Sequence, residues 1–161
     1  MDKIKHKNHH KNNFEYVSGA DYDNEQGWHE LYRLIELQVN KTYPNQYDAK
    51  WLTWMTRLDQ QPNGFSTGIR VEGILQCLLV AEWQYNMWIN QRDCVIVGLL
   101  KKPGCDPHYV DLLLARCEHW ALTQDCSSIN IFTWDARKAY QRWCTSKGFE
   151  LHQYCYTKEM K

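Results

Sequence analysis

From residue 28 to residue 39 the apolar positions Trp28, Leu31, Tyr32, Leu34, Ile35 and Val39 recur at three- and four-residue spacings. That is the period at which one side of a helix faces a core, and Pro44 ends it. Trp51, Leu52, Trp54, Met55 and Leu58 repeat the pattern, which predicts a second helix from about Tyr47 to Leu58 with Asp48 as an early cap. Gln61-Pro62-Asn63-Gly64 is the turn that closes it. The period then shortens towards two, predicting strands over Phe65 to Val71, Gly73 to Glu82 and Cys94 to Leu100. The last is almost wholly apolar, as a strand covered on both faces must be. Lys101-Lys102-Pro103-Gly104 carries turn chemistry. Asp106 as N-cap with Pro107 at the first helical position opens a long helix that carries Val110, Leu113, Leu114, Cys117 and Ala121 and ends near Asp125. A strand over Ser127 to Trp134, a helix over Ala136 to Ser146 closed by Gly148, and a strand over Glu150 to Thr157 complete the reading, without internal repeats. The fold class is α/β in the α+β sense, with a mixed sheet and helices around it.

A chain of 161 residues reads as one domain, and burying roughly two thirds of its unfolded surface suffices for stability without disulfides or metal. The longest apolar runs are strand-sized, so no membrane span is expected. The first residues, Met1-Asp2-Lys3-Ile4-Lys5, run into polar and His-rich sequence instead of an apolar targeting core, which points to a cytoplasmic location. Seven cysteines without a CxxC pair then read as free thiols. Eight Trp and ten Tyr supply an aromatic-rich core or a docking surface.

The zero formal charge is unevenly spread. Residues 1–13 hold Lys3, Lys5, Lys7 and Lys11 against Asp2, whereas residues 14–30 hold Glu15, Asp21, Asp23, Glu25 and Glu30 with no base. The first of these segments has too little apolar surface to offset the entropy of ordering. The domain organisation expected is therefore a flexible charged arm over residues 1–26 in front of one domain over residues 27–161. Partners, where there are any, are expected at the arm and the aromatic surface.

In Ser128-Ile129-Asn130-Ile131-Phe132-Thr133-Trp134, the amphipathic helix after it and Lys147-Gly148-Phe149, the chain resembles the late strand, penultimate helix and terminal Gly-Phe turn of the GNAT N-acetyltransferase family. The resemblance extends over about residues 27–158 through the element order: two helices, antiparallel strands, a central strand running into a long helix, and a closing strand–helix–strand unit. It implies a mostly antiparallel mixed sheet flanked by helices, and transfer of an acyl group from acetyl-CoA to an amine, without a metal. The family holds the coenzyme diphosphate in a Gln/Arg-x-x-Gly-x-Gly/Ala loop at a helix N-terminus. Aligned on the long helix and its Trp120-Ala121 end, that loop falls on Cys105-Asp106-Pro107-His108-Tyr109-Val110. His108 and Val110 stand at the glycine positions, Pro107 removes an N–H donor, and Asp106 adds a negative charge.

The coenzyme contacts that the resemblance implies are Leu99, Leu100, Lys101, Lys102, His108, Tyr109 and Val110, with the two lysines and His108 as substitute charges. The same lysines serve equally as solvated turn residues. Where the family often places a Tyr to protonate the departing thiolate, four residues before the Gly-Phe pair, this chain has Cys144, with Tyr140 one turn earlier. Both positions also suit helix core side chains. Glu82 is the candidate general base, with Glu72 and Asp93 behind it.

The chain also looks like short, Trp- and His-rich acetyltransferase-like proteins of tailed phages, some of them packaged in the virion. That implies host cytoplasm or the virion as its location and a viral or host protein surface as an alternative partner. Cys105-x-x-His108 with Cys117-x-His119 has zinc-ligand types, but the gap begins in a turn and continues along a helix, so convergence on a metal is not expected. No basic stripe accompanies the aromatics, which argues against a nucleic-acid surface. Two functions compete: a divergent acyl-CoA-dependent N-acyltransferase acting on an amine-bearing small molecule or protein, and a non-catalytic, virion-associated or binding protein of the same fold.

Overall fold

The computed structural model of the chain describes residues 13–39, 49–131 and 138–151. The elements are β1 (Phe14–Val17), α1 (Glu25–Val39), α2 (Ala49–Arg57), β2 (Gly64–Val71), β3 (Ile74–Asn86), β4 (Gln91–Lys101), α3 (Pro107–Thr123), β5 (Cys126–Ile131) and α4 (Lys138–Ser146). The strands form one sheet in the order β1-β2-β3-β4-β5. Every neighbouring pair is antiparallel except β4 and β5, which run parallel because α3 crosses between them. This is the α+β class that the pattern of apolar residues implies.

The sheet carries a helical layer on each face, and the alternation of side chains along β3 explains why. Leu78 and Val80 meet Leu31, Leu34 and Ile35 of α1 and Leu52 and Met55 of α2. Cys77, Leu79 and Ala81 meet Val110, Leu113, Leu114, Cys117 and Ala121 of α3. All five β3 residues are fully buried, so β3 is covered on both faces along its middle, and β4 is covered likewise at Cys94, Val95 and Ile96, as its apolar run implies. On β4, Leu100 joins the α1–α2 side and Cys94 and Ile96 the α3 side. α4 docks on the α3 side through Trp143, with Phe149 beyond it, and a Lys147 Nζ–Asp111 Oδ1 ion pair of 2.5 Å joins its end to α3. Among the described residues no helix is long and apolar enough to cross a membrane.

Three expectations are corrected. Residues 14–26 are not part of a free arm: Phe14–Val17 pairs with β2 in the register Phe14↔Val71 to Val17↔Gly68. The acidic stretch is absorbed by partners. Arg70 Nε donates to Glu15 Oε1 (2.6 Å), Arg57 Nε to Asp23 Oδ2 (2.9 Å), the Ser18 N–H to Asp21 Oδ2 (2.7 Å) and the Leu75 N–H to Glu30 Oε1 (3.0 Å). Glu15 and Asp23 are thus paired with arginines of β2 and α2, while Asp21 and Glu30 accept from backbone N–H groups of Ser18 and of β3. Secondly, β3 and β4 run well past the expected ends into a long hairpin whose turn, Met87 to Asn90, holds the expected break between two strands. Trp83 and Arg92 explain its persistence, because the guanidinium lies 4.5 Å over the indole ring. Thirdly, α1 begins at Glu25, ahead of the apolar pattern from Trp28; the expected helix start at Ala136 lies outside the described residues, and α4 is described from Lys138. Asp48 as a cap, the arm up to residue 12, the end of the late strand and the final strand beyond Leu151 lie outside the described residues.

Candidate functional site

β4 carries an irregularity in its middle. Val80 pairs with Gly98 and Ala81 with Ile96, so Val97 has no opposite number on β3 and forms a bulge. The parallel register with β5 reaches Ile96↔Ile131, and among the described residues no β5 residue pairs with β4 beyond Ile96. The Lys102 N–H donates to Gln76 O (2.7 Å), which fixes the alternation: residues 98, 100 and 102 direct their backbone groups at β3. Leu99 and Lys101 direct theirs to the opposite side, where among the described residues no strand pairs with them. The result is a short strand edge with a carbonyl at Leu99 and an N–H at Lys101, two residues apart.

That edge is filled by a side chain from another element. Gln38 Nε2 donates to Leu99 O (2.9 Å), and the Lys101 N–H donates to Gln38 Oε1 (3.0 Å). The placement follows from α1: Leu31, Leu34 and Ile35 form its buried stripe, and Gln38 is the next position of that stripe, at the level of the strand edge. A Gln in an apolar stripe was the signal for it, and periodicity reading passes over it because only apolar positions are scored.

The turn after β4 forms as its residues dictate, with Gly104 at φ 76° and the Cys105 N–H donating to Lys102 O (3.0 Å). At the start of α3, Asp106 is the N-cap: its Oδ1 accepts the His108 N–H (2.9 Å). Its backbone O accepts the Tyr109 N–H (3.0 Å), and Pro107 has no N–H. The donors that a helix N-terminus offers an anion are thus occupied or missing over 107–109, and the seat is filled by a carboxylate. Val110 is buried in the α3 core and Tyr109 packs its ring 5.6 Å from that of Phe14, so their side chains serve packing. His108 and Lys101 are exposed. Leu99 faces the α3 side and Leu100 the α1–α2 side. Leu99, Leu100, Lys101, Lys102, His108, Tyr109 and Val110 therefore lie together along the end of β4, the turn and the start of α3.

Glu82 lies in the middle of β3, opposite Val95, on the α1–α2 side of the sheet. There it lines a cavity of about 620 Å³ with Thr53, Trp54, Arg57, Leu58, Gln61 and Asn63, and accepts a hydrogen bond from Gln84 Nε2 (2.8 Å). Glu72 lies in the β2–β3 turn with φ 50°, at the other end of β3, and Asp93 Oδ1 accepts from Ser128 Oγ (2.9 Å). Tyr140 and Cys144 sit one turn apart on α4. Burial pushes the Cys144 thiol above the ordinary range, while a hydrogen bond with Tyr140 partly opposes that rise. The Glu82 side chain is on the α1–α2 face of the sheet, whereas Cys144 stands on α4, which packs on the α3 face.

No protein-family model matches the sequence, and no curated protein matches it. Solved structures do. The aminoglycoside N-acetyltransferase AAC(6')-Iy, in complex with the bisubstrate analog CoA-S-monomethyl-acetylneamine, superposes with a TM-score of 0.68 at 14% identity, over 92% of this chain and 98% of that one. The ribosomal-protein-alanine N-acetyltransferase from Brucella melitensis biovar Abortus 2308 gives 0.65 at 11% identity, over 91% and 99%. A transcriptional regulator from Bacillus halodurans C-125 gives 0.66 at 13% identity, over 91% and 98%. At such identities the likeness establishes the fold, and the fold of this chain is that of the GNAT acetyltransferases.

Proposed function

We propose that the chain is a divergent acyl-CoA-dependent N-acyltransferase that acylates an amine, on a small molecule or a protein, by direct transfer. The observation that carries this reading is the β4 edge beyond the Val97 bulge, where a carbonyl and an N–H two residues apart form the pair that successive amides of an extended chain take. Coenzyme A's pantetheine arm is such an amide-bearing chain, and when bound it would supply the acyl group as an activated thioester. The residues fit its two ends unequally: the β4 edge suits the amides, and the Asp106-capped helix start does not suit the diphosphate. Lys101 and Lys102 stand where point charges would compensate.

This chain's own groups then divide the chemistry. Backbone N–H groups at the bulge polarise an acyl carbonyl brought to them, and their stabilisation grows as charge builds on that oxygen. Glu82, on the wall of the α1–α2 cavity, takes the proton that the attacking amine nitrogen must shed as its bond to the acyl carbon forms. Cys144, kept protonated at neutral pH by its raised pKa, gives a proton to the sulfur released when the carbon–sulfur bond breaks, and Tyr140 holds it by a hydrogen bond. Aminoglycoside amines and a protein amine are acceptors named for the structural relatives AAC(6')-Iy and the ribosomal-protein enzyme, which supports an amine as the acceptor class here.

A second reading has its own observation: the carboxylate in the diphosphate seat favours a non-catalytic protein of this fold, meeting a viral or host protein surface. The β3–β4 hairpin tip suits such a contact, with Met87 81% and Trp88 96% exposed. Calorimetry with acetyl-CoA decides between the two. Micromolar binding that a bulky change within residues 99–110 abolishes supports the acyltransferase. An absence of binding at millimolar coenzyme sinks it and leaves the interaction protein.

A further inference from the structure

We propose that Gln38 is a removable plug that gates the β4 edge, so that entry of an amide-bearing acyl donor requires the α1 side chain to swing out. The inference rests on the coenzyme reading above and adds a regulation of that site. Its basis is a coincidence of three independent facts. The Leu99 carbonyl and the Lys101 N–H are turned away from β3 by the β3–β4 register, and among the described residues no strand pairs with them. The Gln38 amide satisfies both at once, at 2.9 and 3.0 Å, taking the place of the N–H and C=O that one residue of an added strand would present. Gln38 itself is exposed and is the second-to-last residue of α1, so its side chain can leave without opening the core.

A buried structural glutamine would have no such freedom. Water reaches this edge, and Gln38 supplies the hydrogen bonds of its two backbone groups while the edge has no ligand. Any ligand that pairs with the edge must displace both hydrogen bonds, so its apparent affinity falls by the fraction of molecules in which the plug is out. The same side chain keeps the edge from recruiting an unrelated strand, which is the ordinary hazard of an unpaired one.

The test uses the full chain as wild type, Gln38→Ala and Gln38→Glu, with two readouts. The first is NMR-detected hydrogen exchange of the Lys101 amide without coenzyme. It is expected to be slow in wild type and fast in Q38A, with Q38E between, because Glu keeps the acceptor and loses the donor. An unchanged rate in Q38A overturns the plug. The second is calorimetric affinity for acetyl-CoA, expected to rise about three- to tenfold in Q38A, the size set by one or two net hydrogen bonds. Equal or weaker binding by Q38A, with wild type binding well, overturns the gate and leaves the acyltransferase reading standing. No binding by either protein, with the Lys101 amide freed in Q38A, overturns both the gate and the acyltransferase reading.

Discussion

The β4 edge and the start of α3 are adjacent, and each is filled by this chain's own side chains, but in different ways. At α3 the filler is local: Asp106 sits in the helix it caps, and its carboxylate bonds two residues on, to the His108 N–H. At β4 the filler comes from 61 residues away in sequence, Gln38 to Leu99, and is an uncharged amide at the end of a helix. Removing the first costs the helix its cap, whereas removing the second costs the fold little. The difference teaches which of the two positions is filled as a condition of the local fold and which can be vacated without disturbing it.

Substitutions that break this contrast differ in size. Leu113→Ala, at a fully buried α3 position, should cost about 2–5 kcal/mol in denaturant unfolding, the range for truncating a buried Leu. It should also loosen the His108 amide, since the cap holds only while α3 is seated. A His108 amide still protected in a strongly destabilised L113A would show that the cap stands by itself. Asp106→Ala should cost about 1 kcal/mol through the lost cap. Asp106→Asn keeps a good cap and removes the charge, so it should nearly preserve stability and raise affinity for inorganic diphosphate several-fold. Equal diphosphate affinity in D106N and wild type would mean that the carboxylate is not what bars the seat. Asp111→Asn, which removes the Lys147 pair, should cost less than about 1 kcal/mol, as its partners are 46% and 25% exposed. That effect should vanish in 1 M salt, and persistence there would assign it to packing of α4 on α3.

Much of the frame was legible. The long helix with Asp106 and Pro107 at its start, the apolar runs of β3 and β4, and the Gly148 stop, at φ 83°, all come from short-range rules of period, capping and turn chemistry. β1 was not legible, because four residues with two half-exposed aromatic rings do not stand out from an acidic stretch. Only their pairing with β2 and the Arg116 guanidinium 4.1 Å over the Tyr16 ring make them a strand. Residues 83–86 and 91–93 were missed as strand because exposed Gln84, Tyr85 and Gln91 dilute the apolar signal, and the stacking of Arg92 on Trp83 that sustains the hairpin acts across it.

For the candidate site the division is sharper. The loss of the coenzyme-loop glycines and the charge at Asp106 stand in the sequence, since a cap is a matter of neighbours in the chain. The bulge at Val97, the strand edge it leads to and the glutamine that fills that edge belong to the tertiary structure. A bulge exists only against a partner strand, and an edge only where the next strand departs. A Gln at position 38 becomes a contact only when α1 is laid across the sheet by Leu31, Leu34 and Ile35. Period and capping act over a few residues and are written in order along the chain. Pairing and layer packing join residues many tens of positions apart, so the groove and what plugs it were decided only by folding.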